Sequence, residues 1–281
     1  MNIKKILLFI AFVTTSLNAY NFEATLGIHD FMVRDIKTNN LPSHIKDGTS
    51  HTLGGNIGIV LRHQTKNGIN IYAKAETFVD NDKDKLDNDH IPIWFDFVVD
   101  IDGIISKYNQ NNEFKWYVYL DNRQNTVSCI EREVRQHLGV GWRYFNRNFE
   151  FALKGYLGFY YIEIDDDTPV SRGYNRMDLD NGEASNVLEA KIAYQITKDF
   201  NIMAKAKRYS ANAGFKEMES DYEVRMRYEN IDFLTDGASI NFLVKYAKYN
   251  FDDFNEGHTL PILPWDNDTL IQTFVSFPVN F

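Results

Sequence analysis

The stretch Glu133–Tyr144, EVRQHLGVGWRY, puts Val134, Leu138, Val140, Trp142 and Tyr144 on one parity and Glu133, Arg135, His137, Gly139, Gly141 and Arg143 on the other. A period of two is the pattern of a β-strand with one apolar face and one polar face. The same alternation returns along the chain. Phe22, Ala24, Leu26 and Ile28 oppose Glu23, Thr25, Gly27 and His29, and Leu53, Ile57, Ile59 and Leu61 oppose Thr52, Asn56 and Arg62. Similar segments lie near residues 69–79, 91–105, 113–126, 149–164, 184–197, 200–210, 220–233, 238–250 and 269–281. The pattern predicts twelve strands, with hardly any stretch of helical period.

The connections sort by length. Residues 35–49, 80–90, 165–183, 211–219 and 251–268 form long polar segments. Between them come short ones: Thr65–Gly68, residues 106–112, Thr197–Asp199 and Leu234–Gly237. The exception is the third long position, around Thr126–Cys129, which is short. Asn67-Gly68 and Asp236-Gly237 are hairpin dipeptides in which both central residues can take positive φ. An even strand number, tight turns at one end and long loops at the other predict an all-β fold. The expected form is an antiparallel transmembrane β-barrel with short periplasmic turns and long acidic extracellular loops. A soluble β-sandwich also alternates, but its loop lengths need not sort by end.

The 281 residues carry a formal charge of −9 and include 16 Tyr and 21 Phe, many rings for a mean hydropathy of −0.39. A barrel accounts for both, because lipid covers one face of each strand while water can wet the other. Tyr144, Phe145, Phe149, Phe151, Tyr194 and Phe200 flank short turns, while Phe78, Tyr160, Tyr161, Tyr209 and Tyr249 lie at the opposite strand ends. Rings at these two heights are expected to form interfacial girdles. The longest uninterrupted apolar run, Ile6–Val13, is eight residues, well short of the ~20 a transmembrane helix needs. An acidic balance argues against a phosphate-tracking nucleic-acid binder. Lys4 and Lys5, the apolar run, and Ser16–Ala19 follow the order of a secretory signal peptide. The expected organisation is a signal peptide over 1–19 and a barrel over 20–281. Cys129 is the only thiol, so the fold must stand without an internal disulfide.

In the last segment Ile271, Thr273, Val275, Phe277, Val279 and Phe281 share one parity, and Phe281 is the final residue given. This resembles the C-terminal targeting signal of bacterial outer-membrane β-barrel proteins, which ends in an aromatic residue after alternating apolar positions. The resemblance implies a bacterial outer-membrane location, with Phe277, Val279 and Phe281 as the assembly signal read by the barrel assembly machinery. It also implies contact with outer-membrane lipid and lipopolysaccharide. Two features depart from the pattern. The glycine that members often carry in this segment is missing, and Pro278 removes a backbone donor beside the closing seam, where the ladder is expected to be incomplete. In size the chain resembles the small solute channels for nucleosides, oligogalacturonate or sialic acid, and the outer-membrane phospholipase.

The charges suggest where chemistry would sit. Residues 80–90, 165–183 and 251–268 carry −3, −4 and −5, which would place the excess acid on one rim. Asp80, Asp82 and Asp84 have the spacing of oxygen ligands for calcium, making calcium at the extracellular loops the one candidate cofactor. Lys85 and Ile91 nevertheless stand where an EF-hand needs Gly and Glu. On the face away from lipid, Lys191, Lys205, Lys207, Arg225, Arg227 and Lys245 form a basic wall, opposed by Glu189 and Glu223. Asp96, Asp100, Asp121, Glu131 and Glu133 form an acidic wall, interspersed with Lys115, Arg123, Arg135 and Arg143. Two such walls set a transverse field across a pore. Tyr72, Tyr117, Tyr119 and Tyr156 add stacking surface.

The expected function is a porin-like channel for passive diffusion of small hydrophilic, anionic or dipolar solutes. The alternative is a closed structural or surface-interaction barrel, its lumen plugged by cross-paired charges, whose acidic loops bind divalent cations, lipopolysaccharide or a partner. Enzymatic activity is not expected: Ser50-His51 is the one neighbouring pair of interest, and adjacent strand residues point to opposite faces.

Overall fold

The computed structural model describes residues 21–34, 50–81, 93–125, 130–164, 182–211, 214, 216–231, 236–250 and 266–279. They form twelve strands: β1 (Asn21–Arg34), β2 (Ser50–Gln64), β3 (Asn70–Asn81), β4 (Ile93–Asn109), β5 (Asn112–Asn125), β6 (Ile130–Phe145), β7 (Phe149–Ile164), β8 (Gly182–Gln195), β9 (Phe200–Ala211), β10 (Glu217–Glu229), β11 (Ser239–Tyr249) and β12 (Asn267–Val279). Each pairs antiparallel with its sequence neighbours, and β1 with β12, in one closed barrel. Strands of 11 to 17 residues meet or exceed the ~9–11 that a tilted strand needs to cross a bilayer.

Among the described residues the seam is continuous in register. The β1–β12 ladder runs without a register shift from Phe22↔Val279 to Arg34↔Asn267. Pro278 sits within it, opposite Glu23, which corrects the expectation of a gap. The β11–β12 pairing has already ended at Ser239↔Ser276, so Pro278 has a partner strand on one side only, an edge position that proline tolerates.

Period-two alternation maps onto outside and inside. Leu26, Ile28, Ile57, Leu138, Leu157 and Leu188 are each more than half exposed on the outer surface. A continuous apolar exterior of this kind is the surface that lipid covers in a transmembrane barrel. Near the short turns, Trp142, Tyr144, Phe149 and Phe151 cluster on the outside, with centroids 5.8 Å apart for Trp142–Phe151 and 6.3 Å for Tyr144–Phe149. Trp116 there covers Gly103, its cross-strand partner.

The other girdle is different. Phe78, Tyr160, Tyr209 and Tyr249 lie within the lumen, at most 3% exposed, and not towards lipid. Their parity is that of Lys74, Lys154, Lys207 and Lys245, all of which point inward, and the Tyr160 and Tyr249 hydroxyls find charged partners there.

The tight turns also differ from the type I′ expectation. Gly68 and Gly237 both have φ of 78°, but among the described residues Asn230 is the one non-glycine with positive φ. Gly68 N donates to Thr65 O at 2.9 Å and Thr65 N to Ile69 O at 2.8 Å, the pattern of a type I turn followed by a left-handed glycine. A Cβ on Gly68 would meet nothing within 4 Å, so Gly68→Ala carries a conformational penalty alone. Urea unfolding in lipid vesicles is expected to show a loss of about 1 kcal/mol. No measurable change would mean the turn relaxes to another type.

Candidate functional site: a charged lumen in layers

The inner face is polar along its length, and its polar groups meet each other across the barrel. Nearest the long connections lies an aromatic layer. Phe78 on β3 stacks on Trp94 on β4 at 3.6 Å and 5°, with Phe31 of β1 packed 5.6 Å from Trp94. His29 meets Phe78 edge-on at 5.0 Å. Its Nε2 lies 2.5 Å from Asp80 Oδ1, while Asp80 Oδ2 accepts from Trp94 Nε1 at 3.0 Å. Both oxygens of Asp80 are thus engaged, on a side chain that points into the barrel, and they do not fit a rim calcium site. Asp82 and Asp84 lie outside the described residues.

Beside this layer is a network of buried charges. Arg135 on β6 donates to Asp121 on β5 at 3.0 Å, to Glu133 at 2.6 Å and to Glu219 on β10. Arg123 donates from Nε to Glu133 at 2.7 Å and also reaches Asp268 on β12, at 3.4 Å, and the Tyr249 hydroxyl. Tyr160 on β7 donates to Glu219 at 2.6 Å, and Tyr249 to Asp268 at 2.9 Å. Arg135 lies over the Tyr209 ring at 5.0 Å. These charges are buried, where unpaired ions are costly and paired, hydrogen-bonded ones are tolerated. Six strands are tied across the lumen by them. Asp80 and Asp268, expected on the acidic rim, belong to these inner layers.

Midway along the barrel is a cavity of about 250 Å³, where most of the expected wall residues meet. Lys191, Lys205, Lys207, Arg225 and Lys245 line it, as do Asp96, Asp100 and Asp121. Arg227 lines a smaller space towards the turns, where it pairs with Glu23 at 3.3 Å and Glu229 at 2.9 Å. Glu133 lies in the network above, and the side chain of Glu131 lies outside the described residues. Nor is the basic wall a row of bare cations. Lys205 pairs with Glu223 at 2.6 Å, Lys207 with Glu189 at 3.4 Å and Lys191 with Glu150 at 2.8 Å. Tyr119 and Tyr117 are capped by Lys207 and Lys154 ammonium groups at 3.4 and 4.4 Å, so their faces are shared with lysine. A second space of about 350 Å³ opens at the turn end and shares Tyr72 and Asp100 with the central cavity.

Of the Ser50-His51 pair, His51 lies on the exterior, 3.5 Å from Asp30, and the side chain of Ser50 lies outside the described residues. A pair that spacing could not reveal is His137 and Ser185, on β6 and β8, with Nε2 and Oγ 2.6 Å apart inside the lumen. His137 Nδ1 has no hydrogen-bond partner, so the third group that would orient the ring is missing from this pair. Of the expected assembly residues, Phe277 and Val279 are on the outer face of β12, and Phe281 lies beyond the described residues.

The class these features define is the closed twelve-stranded antiparallel barrel with an apolar exterior and a charged lumen, the architecture of porin-type barrels. No family model matches the chain, and no curated protein does. Among solved structures it is similar to the NanC porin, at 11% identity and TM-score 0.48, over 91% of this chain and all of that one. It is similar to the KdgM porin in complex with disordered oligogalacturonate, at 9% identity and TM-score 0.44, over 92% and 99% of the two chains. An anion-selective porin from Comamonas acidovorans matches at 7% identity and TM-score 0.41, over 92% and 99%.

Proposed function

We propose that the chain is a bacterial outer-membrane channel through which small hydrophilic solutes diffuse passively, with Lys205, Arg225 and their neighbours as its selectivity element. The observation that carries this reading is the polar interior with two adjoining cavities, which share Tyr72 and Asp100 and open towards the turn end. Charged walls facing a water-filled space concentrate solutes of matching charge or dipole. The route narrows at the Arg123–Arg135 network. On this reading the outer surface meets lipid and lipopolysaccharide, the last strand is read by the barrel assembly machinery, and the protein fractionates with the outer membrane. In a planar bilayer the purified protein is expected to give discrete conductance steps, with an anion preference that falls in Lys205→Gln/Arg225→Gln.

A second reading has its own observation. Phe78, Trp94, Arg135, Tyr160, Tyr209 and Glu219 are all at most 2% exposed, so among the described residues the long-loop half of the lumen is filled. That favours a closed structural or surface-interaction barrel. A bilayer that stays silent for a heat-modifiable, correctly folded protein would decide for it.

A further inference from the structure

The central cavity is lined by seven cations and six carboxylates, and the charge is divided across its width. On the β7–β10 side four cations share two carboxylates. Lys154 and Lys207 both reach Glu189, at 2.9 and 3.4 Å, and Lys205 and Arg225 both reach Glu223, at 2.6 and 3.2 Å. On the β4 side the balance is reversed. Asp96 has its nearest cation, Lys74, at 3.9 Å, and Lys74 is already bound to Glu76. Asp100 has Lys154 at 4.0 Å, which is nearer to Glu189. In the ring of twelve, β4 and β10 are six strands apart either way round, so the two surpluses face each other across the cavity.

Several polar atoms in the lining also lack partners. Asp100 Oδ1, Asp221 Oδ1 and Arg225 Nε are buried without a hydrogen bond, and Asp221 is only 5% exposed. Lys245, the cation nearest Asp221, stays 3.9 Å away. Buried polar atoms are normally satisfied, so these three leave the charged lining short of internal partners. The volume of about 250 Å³ holds roughly eight waters at ~30 Å³ each, or one small organic ion.

We infer that this cavity binds small zwitterions, with the ammonium group held by Asp96 and Asp100 on β4 and the carboxylate by Arg225 and Lys205 on the opposite wall. A molecule with a single charge satisfies one wall and leaves the other unmatched. One carrying both charges completes both walls with charge-assisted hydrogen bonds. This deepens the channel reading and rests on it, since a solute must enter the lumen to reach the cavity.

γ-Aminobutyrate is the probe, with butyrate and n-butylamine as its one-charge counterparts, titrated calorimetrically into the detergent-solubilised full barrel. The zwitterion is expected to bind at least about tenfold more tightly than either counterpart. Asp96→Asn/Asp100→Asn should abolish the advantage over butyrate, and Arg225→Gln the advantage over n-butylamine. Heat-modifiable migration certifies each variant. If the double variant fails to fold, Asp100→Asn alone serves, because that side chain is already 33% exposed. Equal binding of all three molecules overturns the inference, as does butylamine binding as tightly as the zwitterion, which would mark a plain cation site. The companion bilayer recording separates the two proposals. Zwitterion binding with a silent bilayer supports the cavity and ends the channel. Conductance without a zwitterion advantage supports the channel and ends the cavity assignment.

Discussion

Arg135→Ala is expected both to destabilise the barrel by about 3–5 kcal/mol and to raise its conductance. Arg135 is 1% exposed, and its guanidinium is the shared partner of Asp121, Glu133 and Glu219. Removing it leaves three buried carboxylates facing one another, with Arg123 still held by Glu133 and Asp268. Much of the loss is the desolvation of these orphaned acids and not the missing attraction itself, so Glu219→Gln in the same chain should recover part of it. The same deletion empties the centre of the strut that joins β5, β6 and β10, so water and ions gain a wider path. Denaturant titration followed by heat-modifiable migration measures the first effect and single-channel recording the second. A destabilised variant with unchanged conductance would place the constriction elsewhere, and unchanged stability would mean that the network is wet.

What the sequence made legible follows from the length scale of each interaction. Strand positions depend on a two-residue period, and β1, β2 and β6 run over the residues whose alternation is plainest. The inward direction of Lys205, Arg225, Asp96 and Asp100 follows from the same parity. The partners of these groups do not, because closure brings together residues far apart in the chain. Arg135 and Glu219 are 84 positions apart and Arg123 and Asp268 are 145, with no local pattern to connect them. The inward aromatics are a different case. Tyr160 shares its parity with Lys154 and Tyr156, so its direction was readable. Its height near a strand end suggested a lipid interface, but the polar lumen, with Glu133 and Glu219 to bind the hydroxyl, accounts for its place. By sequence Asp80 and Asp268 fall with the loop acids, because the boundaries of polar strand ends are not marked by alternation; the ladder continues to Asp80 on β3 and begins by Asp268 on β12.

The inner glycines show how a filled lumen constrains the sequence, and two substitutions three residues apart on β7 should separate cleanly. Gly155 faces outward, and a Cβ there would meet nothing within 4 Å. Gly158 faces inward, where a Cβ would fall 1.9 Å from the backbone oxygen of Gln136 and 2.8 Å from the His137 Cα. The obstacle is the neighbouring strand's main chain, not a side chain that could rotate away. Valine at 158 can be accommodated only by prising β6 from β7, the ladder that carries Arg135 and His137 opposite Tyr160 and Gly158. Gly158→Val is therefore expected to lose at least about 3 kcal/mol, the upper part of the overpacking range, and to leave little heat-modifiable barrel. Gly155→Val should assemble as the parent does, because an outward β-branched residue suits a strand and adds apolar surface towards lipid. Equal assembly of the two variants would show that β6 and β7 can separate locally at low cost. The network anchored on β6 would then be adjustable, and the filled half of the lumen could open without unfolding.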